Sequence, residues 1–185
     1  MSRVTVEAAQ RVLREAECLH SAAAVEAALD RMAAAITRDF RDRNPLVLTV
    51  LTGGIVVTGH LLTRLDFPLQ LDYLHATRYQ GDTHGGELAW IAHPRFPLAG
   101  RHLLIVDDIL DEGLTLQAVV AHCRASGAAS VATAVLVRKR HDRRPPGVEA
   151  DYVGLEVEDR YVFGFGMDYH DYHRNLPAIY AVRER

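Results

Sequence analysis

The chain has 185 residues and a mass of 20.6 kDa, with 49% hydrophobic and 24% charged residues, which describes one folded domain or two small ones and excludes a disordered or fibrous chain. A net charge of -3 disfavours nucleic-acid binding through an overall positive field, and no apolar run approaches the roughly 20 residues of a membrane helix. Cys18 and Cys123 form no paired motif and MSRVTVEAAQ carries no apolar signal core, so the expectation is a cytoplasmic protein with reduced thiols.

The first forty residues read as helical. Val6, Ala9, Val12, Leu13, Ala16 and Leu19 recur at spacings of three and four, one face of a 3.6-residue period. Ser21 is placed to cap a second helix, whose stripe is Val25, Ala28, Leu29, Met32, Ala35, Ile36 and Phe40. Asn44-Pro45 ends it, since a residue before proline avoids helical backbone. Leu46–Leu51 is a short β-rich run followed by Gly53-Gly54. A helix is expected over Ile55–Leu65, and strands over Leu69–His75 and Glu87–His93. The polar, glycine-bearing stretch between those strands reads as a mobile loop. His102–Val106 is an apolar strand with acids behind it, Thr115–Ala125 a helix closed by Gly127, and Val131–Val137 the next strand. Arg138–Pro146 reads as a basic loop, and Tyr152–Val157 and Tyr161–Phe165 as short final strands. Strands alternating with helices imply an α/β fold with a parallel sheet, whose ligands bind beyond the carboxyl ends of the strands.

The segment Leu103–Thr115 reads LLIVDDILDEGLT. A strand runs into Asp107 and Asp108, then Asp111, Glu112, Gly113, Leu114 and Thr115 at the opening of a helix. A loop at a helix N-terminus presents unpaired amides and the positive end of the dipole, which together hold a phosphate. Gly113 permits the tight turn, and Thr115 adds a hydroxyl. Adjacent carboxylates at the strand end suit sugar hydroxyls or a hydrated magnesium ion.

This segment resembles the phosphoribosyl pyrophosphate signature of the type I phosphoribosyltransferases. The resemblance to the hypoxanthine-guanine phosphoribosyltransferases runs from about Leu46 to Val182. It implies a type I phosphoribosyltransferase fold, a parallel sheet flanked by helices with a small hood from the terminal segments. The expectation is a single domain over 1–185, with a core at about 40–155 and a hood from the N-terminal helices and about 156–185. The implied activity is transfer of ribose 5-phosphate from phosphoribosyl pyrophosphate to hypoxanthine or guanine, releasing pyrophosphate. Magnesium is the implied cofactor, a homodimer or homotetramer the implied assembly, and neither nucleic acid nor membrane an implied partner. A xanthine-preferring relative and a nucleotide-sensing regulator with the same fold are the alternatives.

The resemblance carries over residue by residue. Asp107 and Asp108 would contact the ribose, and Asp111, Glu112, Gly113, Leu114 and Thr115 would cradle the 5'-phosphate. Asp111 would also be the general base for the purine N7 proton. In Asp151–Leu176, DYVGLEVEDRYVFGFGMDYHDYHRNL, Tyr161 would stack on the purine and the Val162 carbonyl would face the guanine amino edge. Asp168 would hold magnesium, and Arg174 would contact pyrophosphate. Leu51–Gly54 matches the pyrophosphate loop, where Thr52 and Gly53 amides bind the leaving group and a cis peptide is expected between them. Lys139 would donate to the 6-oxo group, disfavouring adenine. Arg78–Glu87 corresponds to the loop that closes over the reaction centre, with Thr77, Arg78 or Tyr79 touching pyrophosphate. Glu112 departs from the threonine usual in the family. A carboxylate beside a phosphate is unfavourable unless it points away or meets a cation, so its side chain is expected to face out, leaving its amide in the phosphate loop. His170 and His173, near Asp168 and Asp171, would suit a transition metal only on a helix. They follow a strand, so zinc is not expected.

Overall fold

The structure is a computed structural model that describes residues 4–78 and 88–183. Tyr79 and most of the segment expected to close over the reaction centre lie outside the described residues. Helix α1 (Val6–Glu15) starts at Thr5, whose hydroxyl accepts from Ala8 N at 3.2 Å. The helical period suggested continuation to Leu19, but Ala16 turns extended and Glu17–His20 forms strand β1. The reason is tertiary: β1 pairs antiparallel with β9 (Ile179–Ala181), Cys18 opposite Tyr180, and pairing across the chain overrides local propensity. Helix α2 (Ala22–Phe40) begins as expected, with Ser21 Oγ accepting from Ala24 N at 3.3 Å. Its buried stripe is the predicted one except that Ala33 replaces Ala35.

The main sheet has the order β4-β3-β2-β5-β6-β7. Its strands are β2 (Leu46–Val50), β3 (Gln70–Arg78), β4 (Leu88–Ala92), β5 (His102–Leu110), β6 (Ser130–Arg140) and β7 (Tyr152–Glu158). All neighbours are parallel except β3 and β4. Helices α2 and α3 (Gly54–Leu62) cover one face through Val47, Leu104, Val106, Ala134 and Leu136. Helix α4 (Leu114–Ala125) covers the other through Leu46, Leu48, Leu103, Ile105 and Val135. Burial from both sides explains why β2 is apolar at nearly every position.

Two strands run further than their apolar runs. β5 continues through Asp107 and Asp108 to Leu110, with Ile109 opposite Val137. β6 continues through Lys139 and Arg140, which pair with Val157 and Glu158, so the basic stretch expected as loop begins inside a strand. Near these ends Asp107, Asp108 and Lys139 line cavities rather than the core, so the hydrophobic signal is interrupted before the backbone ladder ends. Strands β1, β9 and β8 (Val162–Phe163) make a second, antiparallel sheet. This sheet comes from the terminal segments, but α2, expected in the hood, packs on β6, β7 and α3. Its apolar stripe shares one core cluster with Val47, Leu104 and Leu136 of the main sheet and with Val162 and Ile179 of the small one.

Candidate active site

Three backbone segments converge at the carboxyl end of β2 and β5, and glycine lets them meet. A Cβ on Gly53 would lie 2.0 Å from Asp108 Oδ2, one on Gly54 would lie 2.7 Å from Val106 O, and one on Gly166 would lie 2.3 Å from Gly53 O. The non-proline cis peptide joins Leu51 and Thr52, one bond earlier than the expected position between Thr52 and Gly53. Asp107 Oδ1 accepts from Asp108 N at 2.9 Å. Burial raises both carboxyls above the usual range, Asp107 most, where the charge of Asp108 adds to the effect. Such a pair gains by meeting hydroxyl donors or a cation.

A cleft of about 480 Å³ opens in front of this junction. It is lined by Gly53, Asp107, Asp108, Asp111, Glu112, Gly113, Leu114, Thr115, Asp168 and Arg174. Of the residues singled out for ribose, phosphate and pyrophosphate, Thr52, exposed on the turn before α3, and Thr77 of β3 do not line the cleft. Gly113 is left-handed at φ 77°, and no side chain caps α4 there, so the first amides of the helix are left for a ligand. Leu114, rather than Thr115, opens the helix.

A narrower slot of about 200 Å³ adjoins the cleft and brings together Lys139, Tyr161 and Val162 with Ile109 and Met167. The two cavities share Asp108, Ile109, Asp111 and Asp168. The small sheet holds the slot's outer wall: Val182 N donates to Tyr161 O at 2.9 Å, and Arg160 pairs with Glu17 of β1 at 2.7 Å. Ile109 and Met167 were not singled out from the sequence, although both lie inside the quoted motifs. An apolar residue between acids reads as core until the slot is seen.

Lys139 Nζ donates to Asp111 Oδ2 at 2.7 Å, and His141 Nε2 lies 2.8 Å from Asp111 Oδ1. Burial raises the Asp111 carboxyl, but Lys139 and His141 together outweigh it and hold the group below the usual range. Glu112 lines the cleft but is half-exposed and lies 3.7 Å from the Arg143 guanidinium. Arg174 donates to Gly166 O at 2.7 Å and pairs with Asp168 at 2.7 Å. Asp168 Oδ2 also accepts from Asp171 N at 2.8 Å.

Asp168 lines the same cleft as Asp107 and Asp108, and carboxylate oxygens with water are the ligands a magnesium ion takes. The donor atoms of Asp111, His141 and Asp159 lie within 4.8 Å of one another, but Lys139 and Arg143 already bond that cluster and would repel a metal ion. The zinc reading of His170 and His173 gains nothing: Asp171 and both histidines have positive φ, so the segment is no helix, and His173 Nε2 is 2.8 Å from Ala9 O.

The phosphoribosyl transferase domain profile matches residues 15–171. A hypoxanthine-guanine-xanthine phosphoribosyltransferase of Tritrichomonas foetus is 34% identical over 86% of this chain and 87% of its own length. The hypoxanthine-guanine phosphoribosyltransferase of Bacillus subtilis is 33% identical over 86% and 88%. Among solved structures, a hypoxanthine phosphoribosyltransferase from Staphylococcus aureus superposes with a TM-score of 0.87 at 26% identity, over 97% of both chains. A mutant hypoxanthine phosphoribosyltransferase from Trypanosoma cruzi, in a ternary substrate complex, gives 0.85 at 32% identity, over 92% of this chain and 97% of that one. The chain belongs to the phosphoribosyl transferase family and, within it, to the hypoxanthine-guanine phosphoribosyltransferases.

Proposed function

We propose that this enzyme transfers ribose 5-phosphate from phosphoribosyl pyrophosphate to hypoxanthine or guanine in purine salvage. The observation that carries this is the junction of a polar cleft and a small slot at Asp108, Ile109, Asp111 and Asp168. The cleft suits a charged sugar phosphate, and the slot suits a flat base.

In the reaction, purine N9 attacks the anomeric carbon, the bond from that carbon to the pyrophosphate oxygen breaks, and the N7 proton passes to Asp111. The open amides from Gly113 to Thr115 bind the 5'-phosphate, with the Glu112 side chain turned to Arg143. Asp107 and Asp108 accept from the ribose hydroxyls. Tyr161 stacks on the base, the Val162 carbonyl faces its amino edge, and Lys139 donates to its 6-oxo group. Holding base and sugar in one geometry supplies much of the rate. Thr52 and Gly53 amides and Arg174 stabilise departing pyrophosphate. Asp168 is the residue that would hold magnesium, which when bound offsets the charge of the leaving group. The active form is a single-domain homo-oligomer in the cytoplasm. The small sheet serves as a hood.

The test is product formation with magnesium, phosphoribosyl pyrophosphate and each of hypoxanthine, guanine, xanthine and adenine. Xanthine is included because the Tritrichomonas foetus relative is named for it. Turnover is expected with 6-oxopurines. Adenine is expected to be poorer by at least about a hundredfold, because its amino group leaves the Lys139 donor unpaired. Efficient AMP formation, or no turnover with any base, would overturn the proposal.

A further inference from the structure

His141 lines neither the cleft nor the slot, yet its side chain is 4% exposed and bonded at both ring nitrogens. Arg143 N donates to His141 Nδ1 at 3.1 Å. That nitrogen is therefore the acceptor, and the ring proton resides on Nε2, 2.8 Å from Asp111 Oδ1. The backbone thus selects the tautomer that donates to the carboxylate. Arg144 stitches the same corner, donating to Asp111 O at 3.0 Å and to Lys139 O at 2.7 Å.

The two oxygens of Asp111 have different partners. Oδ2 takes the Lys139 ammonium at 2.7 Å, and Oδ1 takes His141. Lys139 is the only cationic side chain among the described residues that line the slot, and the 6-oxo group of a bound base competes for it. When Lys139 turns to the base, Asp111 loses a charged donor and Oδ2 becomes free. His141 has no competing ligand and keeps its bond. We propose that His141 is a positioning residue: it holds the Asp111 carboxylate aimed into the purine slot while Lys139 is engaged by substrate. The inference rests on the reading of Asp111 as the general base.

Other charges face this pair. Arg143 lies 3.6 Å from Asp111 Oδ1 but also binds Asp159 at 2.9 Å and lies 3.7 Å from Glu112. Asp159, from the turn after β7, lies 4.0 Å from Lys139 Nζ. Arg143 is half-exposed and divided among three carboxylates, so its hold on Asp111 is screened and shared. The His141 hydrogen bond is short and shielded from solvent.

The test compares His141→Leu, His141→Asn and His141→Gln with the native enzyme and Asp111→Asn. The Gln amide nitrogen reaches the position of imidazole Nε2, whereas Asn is too short. Leu and Asn are expected to lower kcat about tenfold, as for a partner that acts through another group, with KM for phosphoribosyl pyrophosphate unchanged. They should also move the acid limb of kcat, which reports the enzyme with substrate bound, upward by about one pH unit. The sign follows from the geometry: losing a donor to the ionised carboxylate raises its pKa, so a higher pH is needed to ionise the base. Gln should restore most of kcat and return the limb. The inference fails if the limbs of Leu and Asn coincide with the native one, or if all three variants raise KM alone. Should Leu not fold, Asn against Gln carries the same comparison. Asp111→Asn separates the two readings. If it retains kcat, the general-base reading falls and this inference with it. If it loses kcat while the His141 limbs stay put, only the inference falls.

Discussion

At Gly166 the chain passes too close to the turn after β2 for any side chain. A Cβ there would lie 2.3 Å from Gly53 O and 3.3 Å from Asp108 Cβ, on a backbone with φ 103°. Both the collision and the backbone conformation oppose Gly166→Ala. The substitution is expected to cost about 1–3 kcal/mol of stability, read as a lower melting temperature. Because Gly166 O also accepts from Arg174, KM for phosphoribosyl pyrophosphate should rise as well. An unchanged melting temperature would show that the Gly53 turn yields easily. At this scale the sequence was legible where chemistry is local. The acids from Asp107 to Asp111 and the following glycine sit in one continuous string, so their shared cleft could be expected. His141 could not be found that way, since its partner is 30 residues away and its own neighbours read as a solvated basic run. The pyrophosphate loop is readable as a motif, but its cis bond lies one residue earlier than the motif implies.

The elements were legible in proportion to how local their causes are. Helix α2 carries its own signals, a cap at Ser21 and an apolar stripe at helical spacing. Ser21 Oγ satisfies an otherwise free amide at Ala24, so Ser21→Ala should cost about 1 kcal/mol and Ser21→Gly only a few tenths. The denaturant midpoint should fall with slope unchanged; equal midpoints for Ser and Ala would show that solvent serves that amide equally well. Strand β1 carries no such signal. Its four residues continue a helical period, and only β9, some 160 residues later, makes them a strand. The ends of β5 and β6 were hidden for a related reason. Their last residues, among them Asp108 and Lys139, are polar because they line the cleft and slot, so composition marked a loop where the ladder continues.

A parallel sheet is ordinarily covered on both faces, but the described residues leave part of this one bare. On the side where α2 and α3 lie, no helix covers β3 or β4 among the described residues. Leu71, Tyr73 and Ile91 are 46%, 50% and 63% exposed there, and Ile55 of α3 is 49% exposed beside them. Ile55, Leu62, Leu71 and Tyr73 line a groove of about 510 Å³, which meets the cleft only at Leu51. Scattered exposed apolar residues need no explanation, but a contiguous patch on a sheet face marks an interaction surface. The proposed homo-oligomer supplies an occupant without a second protein: in a two-fold dimer each copy covers the other's bare strand with the same patch. Tyr73→Glu tests this, since Tyr73 is too exposed to matter for the monomer's core. Burying an unpaired carboxylate in that contact should cost at least about 2 kcal/mol, which weakens self-association roughly thirtyfold or more. Light scattering across a dilution series should then show the variant as a monomer at concentrations where the native chain stays associated. An unaltered particle mass would place the contact elsewhere on the molecule. A native chain that is monomeric throughout would overturn the homo-oligomer itself.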